Sequence, residues 1–157
     1  MTGEATCYNG GSVYSTIDFS ANDLTAGEIE TETSVAGTNI TLIADSSNKI
    51  TVDANTATLS EISYTQRLKL NGTGATNKRC LKITNVRTGT YTIDFAHGSS
   101  SGDDRTLFVT TDGNTEIASL TVSASGKVSK TFTLSSDADV IYIYSTNSSI
   151  NIYGIHE

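Results

Sequence analysis

The basic residues of this sequence are concentrated in one stretch of the chain. The protein has 157 residues, with ten bases, seventeen acids and a formal net charge of −7. Clustered like charge costs stability, and ammonium and guanidinium groups donate strong hydrogen bonds to carboxylates. The clustering therefore favours an anionic ligand, with a solvated face balanced by the acidic N-terminal half as the alternative. Seven of the ten bases fall between positions 62 and 105, namely Arg67, Lys69, Lys78, Arg79, Lys82, Arg87 and Arg105.

Spacing along two predicted strands indicates which of these bases share a face. Successive side chains of a strand alternate, so Arg67 and Lys69 point the same way in "TQRLKL" while the leucines beside them point inward. On the next predicted strand, Lys78 and Lys82 could share a neighbouring face. If these two strands pair, their outward bases form one cationic patch.

No residue pattern points to catalysis. The only histidines are His97 and His156, and no CxxC or HExxH spacing occurs. Adjacent acids such as Asp103 and Asp104 point to opposite faces when they lie on a strand, so they cannot act there as a catalytic pair. Sets of serine, histidine and aspartate can be drawn from almost any part of this chain and are not diagnostic. The sequence predicts a protein that is not an enzyme.

Acidic loops and two cysteines leave two further questions open. Asp103, Asp104 and Asp112 offer the oxygen ligands that calcium prefers, so a structural calcium ion is one interpretation and solvated turn acids are the other. No other cofactor is required. Cys7 and Cys80 form a disulfide if the N-terminal segment lies on the sheet near residue 80, and otherwise are two unrelated thiols.

Short strands are the elements that must position these residues. Charged residues make up 17% of the chain, and the polar surface comes from Thr, Ser and Asn, which favour pleated backbone and turns. Only a single helical turn, near 22–26, is expected. We predict an all-β fold, an antiparallel, jelly-roll-like β-sandwich of roughly ten to twelve short strands. The main predicted strands are 13–19, 38–44, 49–54, 65–70, 79–86, 89–97, 105–111, 116–124, 127–135, 138–145 and 149–156.

The length and the N-terminus suggest one module of a larger secreted chain. A chain of 157 residues fits one domain, which we assign to 13–157, with 1–12 as a linker or a remnant of expression cloning. The start has no basic segment followed by an apolar one, and no run of 18 apolar residues occurs. We expect a bacterial extracellular protein with its signal upstream. The negative net charge argues against nucleic acid as a partner, and no membrane partner is expected.

Three segments resemble a known family. They are "YTQRLKLNGTGATNKRCLKIT" at 64–84, "YTIDFAHGSSSGDDRTLFV" at 91–109 and "IYIYSTNSSINIYGIHE" at 141–157. They look like the pectin-binding carbohydrate-binding module of family 77, a non-catalytic module found beside bacterial pectate lyases. The resemblance extends over roughly 16–156. It implies a β-sandwich that binds an acidic polysaccharide, demethylated homogalacturonan, and targets an attached pectate lyase to it.

The resemblance also implies ligand-binding residues, because lysines contact the galacturonate carboxylates in such modules. Lys69 in "RLKL" is the firmest match. Arg67 and Arg105 match motif positions, with a structural ion pair as the alternative for each. Arg79 and Lys82 depart from the residues usual in their strand, and their role is correspondingly less specific.

The C-terminal motif supplies polar matches at Ser145, Asn147 and Asn151, which either contact sugar hydroxyls or satisfy backbone groups in a turn. The predicted ligand-binding set is Lys69, Arg67, Arg79, Lys82, Arg105 and Asn147.

Two other functions remain open from the sequence. One is a structural or adhesive β-sandwich module of a cell-surface protein, which needs no ligand. The other is a binder of neutral hemicellulose, which would stack sugars on Tyr142, Tyr144 or Tyr153. The absence of Trp weakens this second alternative, because Trp is the preferred stacking surface. Alternation nevertheless places Tyr142 and Tyr144 on the face opposite Ile141 and Ile143.

Overall fold

A computed structural model describes residues 13–157, which form two antiparallel sheets packed face to face. The predicted antiparallel β-sandwich is confirmed. Residues 13–157 contain thirteen strands, because two short edge strands, β2 and β3, add to those that alternation predicted. The strands are β1 Phe19–Ser20, β2 Gly27–Ile29, β3 Thr33–Ser34, β4 Ile40–Ile43, β5 Ile50–Leu59, β6 Ile62–Lys69, β7 Cys80–Val86, β8 Gly89–His97, β9 Arg105–Thr110, β10 Glu116–Val122, β11 Lys127–Leu134, β12 Ala138–Ser145 and β13 Ile150–His156.

The chain alternates between the two sheets. Sheet 1 has the order β11-β8-β13-β6-β5-β2, with β1 also paired to β13, and sheet 2 has the order β10-β9-β12-β7-β4-β3. Consecutive strands therefore often lie in different sheets. In particular, β6 belongs to sheet 1 and β7 to sheet 2.

The core lies between the sheets and is built by the alternating apolar faces. Leu68 and Phe95 project into it from sheet 1, and Leu81 and Ile143 project into it from sheet 2, all fully buried. Because each strand turns every second side chain inward, the residues between them face outward. Each sheet thus presents one outer face, and these two faces carry the polar and charged residues of interest.

The β5–β6 hairpin curls over the outer face of sheet 1. A bulge interrupts β5 between Ala54 and Ala57, and bulges bend strands and increase their twist. At the hairpin tip, Ser60 lies 3.1 Å from Ser129 of β11, measured between the hydroxyl oxygens. Lys127 of β11 also donates to the Thr56 carbonyl at 3.5 Å. Since β6, β13 and β8 separate β5 from β11 within the sheet, these contacts require the hairpin to arch over its face.

Several predicted boundaries differ from the structure. The strand predicted at 13–19 is reduced to β1, and the helical turn expected near 22–26 is a 3-10 turn at Ala21–Asp23. The predicted strands 49–54 and 65–70 extend to a hairpin tip at Ser60 and Glu61, whose φ angles of 53° and 62° allow a tight turn without glycine. Within residues 13–157, no helix is long and apolar enough to span a bilayer.

Cys80 is fully buried beneath the 75–78 turn, and its Sγ lies 3.5 Å from the Thr76 carbonyl oxygen. Burial raises the pKa of the Cys80 thiol to about 12, so little thiolate is present at neutral pH. The predicted linker 1–12 and Cys7 lie outside the described residues, so the question of a disulfide stays a prediction.

Candidate functional site

A continuous row of side chains crosses the outer face of sheet 1 from one edge to the other. The register pairs each member directly with the next on the neighbouring strand. With strands about 4.8 Å apart, the three steps from Lys69 to Lys127 span about 14 Å. In order from β2 to β11, the row is Glu28, Thr51, Lys69, Asn151, Ala96 and Lys127.

A groove of about 330 Å³ occupies the β11 end of this row. Ala96 and Asn151, both almost fully buried, contribute to its lining, and Ala96 also packs with Tyr64 and Tyr153. Arg67 and Lys127 line the groove together with Tyr153, and the loops at 97–100 and 125–126 form one wall. The cationic end of the row is therefore a concave site. We call Arg67, Lys69, Lys127, Asn151 and Ala96 with this depression the cationic groove.

Three cations and one partly exposed carboxylate set the charge of the cationic groove. Arg67 donates from Nε to Asp53 at 2.8 Å, and Lys69 Nζ lies 3.8 Å from the same carboxylate. The hydrogen bond from Arg67 lowers the pKa of Asp53 and keeps it charged. Within residues 13–157, Lys127 has no carboxylate within 4 Å, and its Nζ lies 5.9 Å from the ring centroid of Tyr153. The groove is locally positive in a protein whose net charge is −7.

Asn151 has a side-chain amide that the fold leaves unused. It is 4% exposed, and its Oδ1 is buried without a hydrogen-bond partner in the described part of the chain. Buried polar atoms of this kind are uncommon, because an unmade hydrogen bond costs about 1–3 kcal/mol. Its position between Lys69 and Ala96 places this amide at the floor of the cationic groove.

The aromatic residues near the cationic groove are not available for stacking. Tyr153 is fully buried, its hydroxyl donates to Asn55 Oδ1, and its ring packs 5.5 Å from that of Tyr64. Tyr64 is also buried. A sugar in the groove would meet ammonium, guanidinium and amide groups rather than an exposed π-face.

Asp94 is a buried charged residue that the sequence analysis missed. It is fully buried on the outer side of β8, beneath the hairpin, and its Oδ1 accepts from Ser60 and Ser129 at 2.7 and 2.6 Å. Its Oδ2 accepts from Tyr64 at 2.6 Å and lies 3.1 Å from His156 Nε2. Burial alone raises the pKa of Asp94, but the hydrogen bonds from these four residues outweigh it and lower the pKa overall.

The four contacts of Asp94 indicate a structural role, which is to hold the β5–β6 hairpin against sheet 1, rather than a chemical one. We call this set of contacts the Asp94 latch. Both of its oxygens are fully engaged by donors from the hairpin, β6, β11 and β13. In the sequence, Asp94 is marked only by its place in "TIDFAH", where an acid stands at a position that alternates with the apolar Ile93 and Phe95.

The structure brings Arg67 and Lys69 together as the alternation predicted, but it places Lys82 on the opposite side of the molecule. The single patch expected from pairing of their strands is wrong. Lys82 lies on β7, paired with Thr41 and Tyr142 on the outer face of sheet 2. The reason is topological, since the chain crosses from sheet 1 to sheet 2 between β6 and β7.

The other predicted ligand residues are Arg79 and Asn147, which lie in loops, and Arg105, which begins β9; Arg105 and Asn147 bond to backbone groups. Arg79 has a φ of 46°, and its Nη1 lies so close to Gly72 that a Cβ there would be 2.6 Å away. Its Nε is buried without a partner in the described residues. Arg105 donates to the Ser149 carbonyl at 2.7 Å. Asn147 accepts from the Thr106 amide and donates to the Asp104 carbonyl, as expected of a turn residue.

The three aspartates suggested as calcium ligands do not fit a shared site. Across residues 13–157, no group of three or more His, Cys, Asp or Glu side chains is placed to hold a metal ion. The Asp112 carboxylate accepts from the backbone amides of Asn114 and Thr115 in its own turn. The backbone carbonyl of Asp103 instead lies 2.9 Å from His97 Nε2.

A larger depression of about 470 Å³ lies between the edge strands β2 and β3. Its lining includes the acids Asp23, Glu28 and Glu30 around an apolar floor, and Lys49 is the only base that pairs with any of them in the described chain. An anionic polymer would be repelled there, so the cationic groove is the better site for one.

Comparisons with known proteins give distant structural likenesses. No protein-family model matches this sequence, and no curated protein matches it. The C-terminal family 6 carbohydrate-binding module of the laminarinase LamC from Zobellia galactanivorans is 18% identical over 66% of this chain and 87% of that one, with a TM-score of 0.38. The family 6 module from Cellvibrio mixtus lichenase 5A, in complex with cellotriose, is 16% identical over 92% of this chain and 96% of that one, with a TM-score of 0.38.

A third solved structure contains the family 22 module and the catalytic module of xylanase 10B from Clostridium thermocellum. It is 11% identical over 93% of this chain and 29% of that one, with a TM-score of 0.48. At these identities and TM-scores, the likenesses carry no information about the ligand of the present chain.

Proposed function

We propose that residues 13–157 form a single non-catalytic carbohydrate-binding module that binds demethylated homogalacturonan in the cationic groove. The observation that carries this proposal is the inverted local charge. Arg67 and Lys127 line one concave surface, Lys69 stands beside it next to Asn151, and Asp53 is the carboxylate that pairs with these cations, in a protein of net charge −7. Such a surface attracts an acidic polymer and does not need an exposed aromatic platform.

The geometry suits a polymer better than a single acidic sugar. Lys69 and Lys127 stand about 14 Å apart across the strands, so two separate carboxylates of one chain could be held at the same time. Lys69 is one-third exposed and only loosely paired at 3.8 Å, so its ammonium group can exchange Asp53 for a ligand carboxylate. The amide of Asn151 lies between the two lysines, and its Nδ2 can donate to a sugar hydroxyl.

The resemblance of the three sequence segments to pectin-binding modules supports the same ligand and implies the wider setting. In that setting the module is part of a secreted bacterial chain and directs an attached pectate lyase to plant cell-wall pectin. The groove itself would contribute adhesion to the polymer, with no bond made or broken.

Affinity electrophoresis in gels containing polygalacturonate tests this function. We expect polygalacturonate to retard the protein, and highly methyl-esterified pectin and a neutral glucan to have much less effect, because esterification removes the carboxylate charge. The double variant Lys69→Ala/Lys127→Ala should migrate as it does in an empty gel. The matched control, Lys78→Ala/Lys82→Ala, removes the same charge outside the groove and should remain retarded.

Two results would overturn the proposal. If polygalacturonate does not retard the wild-type protein, the structural or adhesive alternative gains support. If the control variant loses retardation as fully as the groove variant, the attraction is a general effect of charge and the groove is not the site.

A further inference from the structure

The outer face of sheet 2 carries a second row of side chains with a different chemistry. Cross-strand pairing places Thr41, Lys82, Tyr142 and Thr110 side by side on β4, β7, β12 and β9. Lys82 and Tyr142 are direct neighbours, and both are half-buried. Tyr142 is thus partly accessible to solvent, whereas Tyr153 on the outer side of sheet 1 is fully buried.

Neither polar group of the Lys82–Tyr142 pair is used by the fold. Within residues 13–157, the Tyr142 hydroxyl has no hydrogen-bond partner, and Lys82 Nζ has neither a hydrogen bond nor an ion pair. Tyrosine hydroxyls usually find a partner when they are not free to contact solvent. The pair therefore offers a half-exposed aromatic ring, a hydroxyl and an ammonium group in one place.

Two further aromatic residues extend this surface along the same face. Phe108 of β9 is half-buried and meets Tyr144 of β12 edge to face at 5.8 Å. Tyr144 lies two residues from Tyr142 and so projects from the same face. Tyr144 is only 7% exposed, so Tyr142 and Phe108 present the accessible aromatic surface of the strip.

We infer that this strip, Tyr142 with Lys82 and Phe108, is a second binding surface that takes the sugar rings of a neutral polysaccharide. The C–H face of a pyranose packs on an aromatic ring, and Lys82 and the Tyr142 hydroxyl are placed to bond to ring hydroxyls. The strip carries one cation, Lys82, so it has a lower charge density than the cationic groove with its three cations. The module would then hold an acidic polymer on one face and a neutral one on the other.

Affinity electrophoresis with a soluble neutral β-glucan and with a soluble xylan tests this inference. We expect at least one of them to retard the wild-type protein, with little dependence on salt because no ligand charge is involved. Tyr142→Ala should weaken retardation roughly fivefold to tenfold through the loss of ring stacking, while Tyr142→Phe keeps the ring and most of the binding. Thermal unfolding of each variant shows whether the fold is retained.

The groove variant Lys69→Ala/Lys127→Ala separates this inference from the proposed function. It should lose polygalacturonate and keep the neutral polymer, whereas Tyr142→Ala should do the opposite. Amide chemical shifts of the unmodified protein, followed as the neutral polymer's oligosaccharide is added, should move at Tyr142 and Lys82. The inference is overturned if neither neutral polymer binds, or if binding survives Tyr142→Ala and is lost in the groove variant.

Discussion

The two outer faces of the sandwich distribute cations and aromatic rings in opposite ways. On sheet 1, Tyr64 and Tyr153 are buried, Arg67 and Lys127 line the accessible groove, and Lys69 stands beside it. On sheet 2, Tyr142 remains half-exposed beside Lys82. Both faces come from strands with the same alternating pattern. The difference arises above the sheets, from what the neighbouring loops and hairpins cover.

The β5–β6 hairpin is the element that separates the two faces. Its residues Ala57, Leu59 and Ile62 pack against the cluster of Tyr64, Ala96 and Tyr153, it brings Thr56 to Lys127, and Ser60 at its tip donates to the buried carboxylate of Asp94. The ring of Tyr153 is fully buried and cannot contact a ligand, whereas the half-exposed ring of Tyr142 can. A residue type alone therefore does not tell which ligand chemistry a face supports.

The largest expected effect is loss of the Asp94 latch. Asp94→Ala leaves four donors without their acceptor in a buried site and should lower the free energy of unfolding by about 3–5 kcal/mol. For a domain of this size, that corresponds to a fall in melting temperature of roughly 10 °C. Thermal unfolding followed by circular dichroism measures it. Asp139→Ala, which removes an exposed acid bonded to Tyr14, is the control and should change little.

The same carboxylate should leave a signature in the dependence of stability on pH. Because the pKa of Asp94 is lower in the folded than in the unfolded state, its contribution is present above its unfolded pKa and is lost as the pH falls through the folded pKa. Between about pH 5 and pH 2, the wild type should therefore lose more stability than Asp94→Asn. Equal slopes for the two proteins would contradict the latch.

The next effect concerns the cations of the groove. Each charge-assisted hydrogen bond contributes about 1.5–3 kcal/mol, so Lys69→Ala/Lys127→Ala should weaken polygalacturonate binding by about 100-fold or more. Calorimetric titration gives the magnitude. Lys69→Arg/Lys127→Arg retains the charges and should keep most of the affinity. A double Ala variant with near wild-type affinity would remove the distinction between the faces.

A smaller effect is expected from placing a negative charge in the centre of the groove. Asn151→Asp is nearly isosteric. The new carboxylate would compete with the ligand for Lys69 and would repel the carboxylates of the ligand. Affinity for polygalacturonate should fall about tenfold, roughly 1.4 kcal/mol, with retardation by neutral glycans unchanged. Asn114→Asp introduces the same charge in an exposed turn and should have little effect; equal losses in both variants would point to net charge as the cause.

The smallest expected effect is the difference between the two faces in how strongly salt weakens polysaccharide binding. Raising the ionic strength from about 0.1 to 1 M shortens the screening length from about 10 to 3 Å. Retardation by polygalacturonate should weaken several-fold, while retardation by a neutral glycan should hardly change. Parallel gels at the two ionic strengths measure both responses, and the same salt dependence for both polymers would contradict the assignment of charge to one face only.

Local pattern predicted much of this architecture and some of the site. Alternation correctly placed Leu68 inward with Arg67 and Lys69 outward, because that period depends only on neighbouring residues. It did not predict which strands pair, so Lys82 was assigned to the wrong side. The hairpin was also missed, since its tip, Ser60–Glu61, has no glycine or asparagine to mark a turn. Lys127 and Asn151 join the groove only through that long-range pairing.

The tyrosines suggested as stacking surfaces also show that local pattern does not predict burial by distant parts of the chain. The sequence put Tyr142, Tyr144 and Tyr153 forward together as stacking surfaces. The structure buries Tyr153 fully and leaves Tyr144 only 7% exposed, so two of the three are wrong as platforms. Their burial depends on Tyr64, Phe108 and the hairpin, which are distant in the chain. Only contacts across strands could separate them from Tyr142.

The most direct test of the cationic groove is to map an oligogalacturonate onto the protein by the chemical shifts of its backbone amides. At low ligand concentration, the largest changes should fall on Lys69, Ala96, Lys127 and Asn151, and they should shrink as salt is added. Lys82 and Tyr142, on the other face, should stay unchanged. Changes centred on the outer face of sheet 2, or none in the groove at saturating oligogalacturonate, would contradict the account.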